Sequence, residues 1–318
     1  MKYRKFWFIP TFLLVVIFPL HYLSFEAKKP PVFVAAHYTL FACSKGYDFS
    51  APNEVFTLET ILQEISGISY LSAEQMACVQ DEVGMVFLLN LKTGKIKNSV
   101  HFANPNDYEG LAKVNDSTLY VLQSEGNLFE VKYFSNEKHP EIQSFKLNLL
   151  TKDNEGLCYD AQNQRLLIAA KSTMPQFKDL RLVYAFDLKT KTIDQKPIMH
   201  LDMKELELAW NKLKMKAKDS VMQNAPFDFR TSEMAIHPLT KDIYFLSAQT
   251  HLLAILNAKG KFQELSFLNP DWFNQPEGMT FAPNGDLYIA NEGGVGEPTL
   301  LKFNYKPFKT KAVISGFK

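Results

Sequence analysis

The chain has 318 residues, is 46% hydrophobic and 13% aromatic, and carries a formal net charge of +1 from 35 Lys and Arg against 34 Asp and Glu. That length and apolar content suffice for a large core, and the balanced charge, without a basic cluster, excludes a nucleic-acid-binding surface. Three cysteines, Cys43, Cys78 and Cys158, have neither the spacing of zinc ligands nor that of a disulfide framework.

The first element is apolar. Lys2, Arg4 and Lys5 precede about 20 uncharged residues from Phe6 to Phe25, long enough to cross a bilayer. Residues 1–30 are therefore expected to be a signal anchor or transmembrane segment, with a cytoplasmic N-terminus and the remainder exported. The exit, His21 to Ala27, lacks a small-x-small cleavage site, which favours an uncleaved anchor over a removed signal peptide. Residues 31–53, with Pro30-Pro31 at their start and Pro52 at their end, read as a linker.

From residue 54 onward a short phrase recurs. It stands as Ser66-Gly67-Ile68, Glu109-Gly110-Leu111, Glu155-Gly156-Leu157, Glu233-Met234-Ala235 and Glu277-Gly278-Met279. The position after the acidic residue falls at 67, 110, 156, 234 and 278, so the steps are 43, 46, 78 and 44 residues. A period in the forties marks the blades of a propeller. Each phrase leads into an apolar run such as Leu119–Gln123, Ile243–Ser247 or Leu287–Asn291, which reads as a strand buried on both faces. Asn-Gly and Asp-rich turns such as Asn284-Gly285-Asp286 separate the strands, and third and fourth strands follow. The expected fold is all-β, a five-bladed propeller over 54–318. A sixth, degenerate blade from Val55–Leu58 and Ala312–Ile314 is the alternative, and otherwise the termini close the ring by sharing one blade.

The 78-residue step leaves about 33 residues beyond a blade. Met203, Leu206, Trp210, Leu213, Ala217 and Val221 recur there at helical spacing, so an amphipathic helix over about 202–222 is expected, either packed on the propeller or docking a partner. Because it leads into an inner strand, it is expected on the face where those strands begin.

In a propeller the starts of the inner strands and the turns after the second strands open around one end of the central channel. That brings Glu109, Glu155, Glu233 and Glu277 to one mouth and adds Asp81, Glu82, Glu125 and Glu292. Lys171, Arg230, Gln249, His251 and Asn291 stand at equivalent turns or just before an inner strand. Clustered carboxylates persist only where a cation, basic side chains, backbone amides or shifted ionisation relieve them. Two readings follow: a hard divalent cation, calcium being the first candidate, held by the four repeated glutamates, or a repeated clasp in which each Glu accepts amides of the neighbouring blade. Lys171 and Arg230 could instead neutralise the acids or hold an anionic ligand. His251 alone reads as a surface residue rather than a base. No nucleophile elbow, phosphate loop or HExxH motif is present, so no catalytic residue is assigned and the balance leans away from an enzyme.

The phrases quoted above, with the ending Leu287-Tyr288-Ile289-Ala290-Asn291-Glu292, resemble the SdiA-regulated family of membrane-anchored bacterial β-propellers, over roughly Glu54 to Lys306. The resemblance implies a five-bladed propeller exported across the inner membrane into the periplasm, a link to calcium, and no established catalysis. The strand and Asn-Gly phrases are also similar to those of gluconolactonase-like propellers, whose channels hold a divalent metal. The leading expectation is a tethered propeller that binds a divalent cation or a small polar ligand at its Glu-lined mouth. A metal-dependent lactonase or esterase and a protein-interaction platform are the alternatives.

Overall fold

In the computed structural model, residues 43–135, 140–217 and 226–307 are described. The expected anchor at 1–30, the end of the expected helix and the segment Ala312–Ile314 lie outside them. Among the described residues no helix is long and apolar enough to cross a membrane.

The strands form five antiparallel blades. Blade 1 comprises Ile65–Ser72, Gln75–Gln80, Met85–Asn90 and Ile96–His101, and blade 2 comprises Tyr108–Asn115, Thr118–Gln123, Asn127–Lys132 and Glu141–Lys146. Blade 3 has Asn154–Asp160, Arg165–Ala170, Leu180–Asp187 and an outer edge split into Thr192–Ile193 and Met199–Asp202. Blade 4 has Glu233–Ile236, Ile243–Ser247, Leu252–Leu256 and Phe262–Phe267. Blade 5 joins Pro276–Phe281, Leu287–Asn291 and Thr299–Phe303 to an outer strand from the other end of the sequence, Glu54–Thr57. This shared blade closes the ring and leaves no place for a sixth, because Val55 and Phe56 are spent on pairing with Leu301 and Leu300.

The core is distributed as five apolar layers, each between neighbouring blades. Leu122, Leu157, Ile168 and Phe186, for example, join blades 2 and 3, and Val79, Leu111 and Val121 join blades 1 and 2. Runs such as Leu119–Gln123 are apolar throughout because both faces of a blade are covered. The recurrent glycines have a packing reason. A Cβ on Gly110 would lie 2.4 Å from the Leu157 Cβ and 2.8 Å from the Glu155 carbonyl oxygen, so the residue must be Gly for adjacent inner strands to converge.

Among the described residues of the insertion, Met203–Lys216 form a helix that ends at Ala217, short of the Met222 expected. Asp202 caps it, its carboxylate accepting the amides of Lys204 and Glu205 at 2.9 and 3.4 Å. Met203, Leu206 and Trp210 are buried, and the Trp210 ring lies 6.1 Å from that of Phe267. The helix therefore packs on the outer strands of blades 3 and 4, on the flank of the propeller and not over the channel mouth. Its apolar stripe packs there with Val183 and Leu201 of blade 3 and Leu265 of blade 4.

The packed domain also begins earlier than residue 54. A small hairpin, Cys43–Ser44 with Tyr47–Asp48, seats Tyr47 and Phe49 among Tyr244, Phe273 and Phe303, and the Tyr47 hydroxyl donates to the Gly285 carbonyl at 2.5 Å. The last stretch of the expected linker is thus core, packed between blades 4 and 5.

Candidate functional site

Three of the four repeated glutamates owe their direction to a break in strand register. Glu109, Glu155 and Glu277 each fall between two paired residues whose partners are adjacent: Tyr108 and Gly110, Asn154 and Gly156, Pro276 and Gly278. The extra residue of such a bulge is unpaired and its side chain is re-aimed. Blade 1 breaks in the same place, across Ser66 and Gly67. Blade 4 does not, for Glu233 pairs in register with Leu246.

The difference decides what each carboxyl does. Glu233 is a clasp: one oxygen accepts the Leu157 amide of blade 3 and its neighbour Met234's amide, both at 2.8 Å. Burial pushes its pKa well up against those two bonds. Glu109 accepts a hydrogen bond from the Ser66 hydroxyl at 2.8 Å, and burial and then Asp107 raise it to about 8. Glu155, 1% exposed, pairs through one oxygen with the Lys171 ammonium, while its Oε2 is buried without a partner. Burial and then Glu109 push it to about 10. Glu277 is raised to about 7, by burial and against the pull of Lys171. Burial draws the Lys171 ammonium downward, but Glu155, Glu109 and Glu277 together more than reverse this, so it stays charged. One ammonium thus serves several crowded acids that hold their protons near neutrality.

Among the described residues no three His, Cys, Asp or Glu side chains converge so that they could hold a metal ion. Glu155 instead spends an oxygen on Lys171, and Glu233 spends one on two amides. The ammonium of Lys171 pairs with Glu155, and Glu109 and Glu277 act on it as well.

Lys171 and Glu277 line a cavity of about 420 Å³ with Arg230, Gln249, His251 and Gln275, within the range of small-molecule sites. Arg230 is paired with Asp228 at 3.0 Å, and one ring nitrogen of His251 lies 3.2 Å from the Asn274 carbonyl. Asp81 is raised to about 6 by burial and then by Glu64, Glu82 and Asp107. Glu292 reaches about 9, through burial and then Glu277, although Gln275 donates to it. Asn291, also expected in the site, donates through its amide nitrogen to the Trp272 carbonyl at 3.1 Å and the Thr299 hydroxyl at 3.0 Å, and its Oδ1 is buried without a partner. Glu125 is exposed and lines a separate cavity with Lys146 and Lys152.

Glu64, Asp107, Gln275 and Arg181 belong to the surroundings of the mouth but were not among the candidates. A signal for the first three lay in the repeat itself, since the residue three before the marked position of each phrase is Glu64, Asp107, Asp153, Thr231 or Gln275, polar in every blade. Arg181 carries no such signal.

Solved structures with this architecture include a glutaminyl cyclase of Myxococcus xanthus, with a TM-score of 0.53 at 14% identity over 81% of this chain and 97% of that one. A Bacteroides thetaiotaomicron structural-genomics protein of unknown function matches at TM-score 0.46 and 13% identity over 79% of this chain and 56% of that one. A nidogen/laminin complex matches at TM-score 0.44 and 12% identity, over 71% and 72%. At these identities the likeness to the cyclase is one of fold. No curated protein matches the sequence. The family model described as SdiA-regulated matches residues 44–300, spanning all five blades, and the chain belongs to that family.

Proposed function

We propose that this SdiA-regulated propeller, held at the membrane by its N-terminal segment, binds a small polar ligand at the channel mouth, with Lys171, Glu155 and Glu277 as contact groups. The observation that carries the reading is the unpartnered Oε2 of Glu155, 1% exposed beside a charged lysine. A buried polar atom left unpaired costs about 1–3 kcal/mol, and a ligand that pairs it recovers that cost on binding. The test is a thermal-shift and calorimetric panel of small neutral, anionic, cationic and zwitterionic compounds on the full chain, with Glu155→Gln and Lys171→Met beside it. Saturable stabilisation by a member of the panel, lost in both variants, is the expected result. Calcium and magnesium are included with no shift expected, and a chelator-sensitive rise in melting temperature would return the site to the cation reading.

A second reading, a hydrolase, is favoured by one observation: Glu277 lines the cavity with its pKa raised to about 7, where a carboxyl serves as general acid or base. That the cyclase named above is an enzyme on a similar ring is a fold-level analogy. Turnover of a lactone and aryl-ester panel that Glu277→Gln abolishes supports it, and turnover no faster than in buffer removes it.

A further inference from the structure

Successive strands of a blade run in opposite directions, so the turns after the first and third strands all lie at one end of the ring, opposite the mouth. Lysines gather there from distant parts of the sequence. The turn from third to fourth strand carries Lys95 in blade 1, Lys189 in blade 3, and Lys259 and Lys261 in blade 4, and Lys306 follows the third strand of blade 5. Lys241 stands in the turn after the first strand of blade 4. All six are exposed, and none forms an ion pair among the described residues. The acids of that end are mostly engaged. Glu74, Asp116, Asp160 and Asp242 pair with Lys92, Lys113, Arg165 and Lys45, and Asp48, Asp187 and Asp286 accept hydrogen bonds from turn residues. Glu141, which opens an outer strand, is exposed without an ion pair. The turns therefore carry a surplus of unpaired cations.

Two large apolar side chains share this end. Leu239, 56% exposed, stands in the turn with Lys241, and Tyr133, 51% exposed, follows the third strand of blade 2. Ammonium groups around exposed Leu and Tyr suit a lipid headgroup layer, where the rings sit at the interface and the charges meet phosphates. The chain also enters the fold here. Lys45 of the first hairpin pairs with Asp242 at 3.7 Å, the Tyr47 hydroxyl donates to the Gly285 carbonyl, and the Lys306 amide donates to the Gly46 carbonyl at 2.8 Å. The N-terminal segment thus joins the fold at its lysine-bearing end. Residues 31–42, fully extended, reach about 40 Å, which keeps these turns within range of a bilayer that holds residues 1–30.

We infer that the end of the ring opposite the mouth is a lipid-docking face, which lays the turn lysines against anionic phospholipid headgroups and turns the mouth away from the bilayer. The inference rests on the reading that the N-terminal segment holds the protein at the membrane, and adds an electrostatic contact made by the propeller itself. Each lysine close to an anionic surface strengthens adsorption about fivefold, and salt screens that attraction.

The test reconstitutes the full chain with vesicles of phosphatidylcholine alone or of phosphatidylcholine with phosphatidylglycerol, separates bound protein by flotation, and reads the acetylation rate of each lysine by mass spectrometry at low labelling. With the anionic vesicles Lys95, Lys189, Lys259 and Lys261 are expected to react about fivefold more slowly than with the neutral ones, a difference that about 1 M salt removes. Lys146 and Lys152, exposed beside Glu125 at the mouth end, should keep their rates and serve as the internal control. Lys259→Glu with Lys261→Glu should restore the rates of Lys95 and Lys189; both side chains are exposed and without ion pairs, so the variant stays folded, which its melting curve verifies. Equal rates in the two kinds of vesicle, or slowing at Lys146 and Lys152 instead, overturns the inference while flotation with both kinds leaves the anchor standing. Flotation with the anionic vesicles alone, reversed by salt, removes the anchor and keeps the docking face, and flotation with neither removes both. Protection of the same lysines by duplex DNA as strong as by anionic vesicles makes the face a general polyanion surface and overturns its assignment to lipid.

Discussion

Two buried glutamates of this propeller, each paired with a lysine, have opposite fates. Glu130, 3% exposed between blades 2 and 3, receives the Tyr120 hydroxyl, the Lys191 ammonium at 2.6 Å and, at 3.5 Å, the ammonium of Lys132. Burial raises its pKa, but Lys191, Tyr120 and Lys132 outweigh burial and hold it below the ordinary carboxylate value. Glu155 is as deeply buried, yet it has one ammonium, an orphan oxygen and two acidic neighbours, and it is pushed up. A completed set of partners makes Glu130 a structural rivet, and the incomplete set around Glu155 is what the proposed ligand reading rests on. Burial alone does not distinguish them.

The largest effect that sharpens this contrast is on the rivet. Glu130→Ala strands Lys191 and the Tyr120 hydroxyl and is expected to cost about 3 kcal/mol, read by urea denaturation, with ligand binding at the mouth unchanged. Glu155→Gln keeps the side chain's shape and an acceptor for Lys171 while removing the carboxyl whose pKa burial pushes up. Because Gln still accepts from Lys171, it should change stability by about 1 kcal/mol while abolishing ligand binding, and equal costs for the two variants would break the comparison.

Stability against pH should separate the two next. Glu109, Glu155 and Glu277 have folded pKa values raised to about 8, 10 and 7 from the ordinary 4.5, so the native state keeps protons that the unfolded chain has released. Their contribution is full below about pH 4.5 and is lost as pH rises through those values, and the melting temperature should fall from pH 5 to pH 9, by roughly 3 °C per kcal/mol lost. Glu155→Gln should flatten that slope. Glu130 has the opposite sign: its contribution is present above the unfolded carboxyl value and is lost as pH falls through its lowered folded value, so Glu130→Gln should alter the acid limb and leave the alkaline one. The smallest effect is at Ser66. Ser66→Ala removes the hydroxyl that Glu109 accepts, should raise the Glu109 pKa further, and should cost about 1 kcal/mol, both measurable by carboxyl NMR titration and thermal melts.

The repeat made the blade count readable, because a phrase at a period of 43 to 46 residues repeats a structural unit whatever its ligand. It also brought Glu109, Glu155, Glu277 and Lys171 to one mouth before any coordinates. It did not tell Glu233 from the other three, since the same Glu stands there in the same phrase, and only the regular register in blade 4 turns it into a clasp. Nor did it place the helix, whose amphipathic stripe states that one face is buried but not against what. Arg181 was invisible because strand periodicity reads it as an ordinary polar interruption of an apolar run.

The sequence by itself determined the ring and the five repeated phrases with their acids, because these follow from local pattern and period, while the pairing of Glu54–Thr57 with blade 5 excluded the sixth blade it had left open. The tertiary structure alone decided the partners of each acid. Whether a carboxyl meets an amide, an ammonium or empty space depends on which neighbouring blade faces it across the channel, and at what bulge, and those distances are set by packing among strands far apart in the chain.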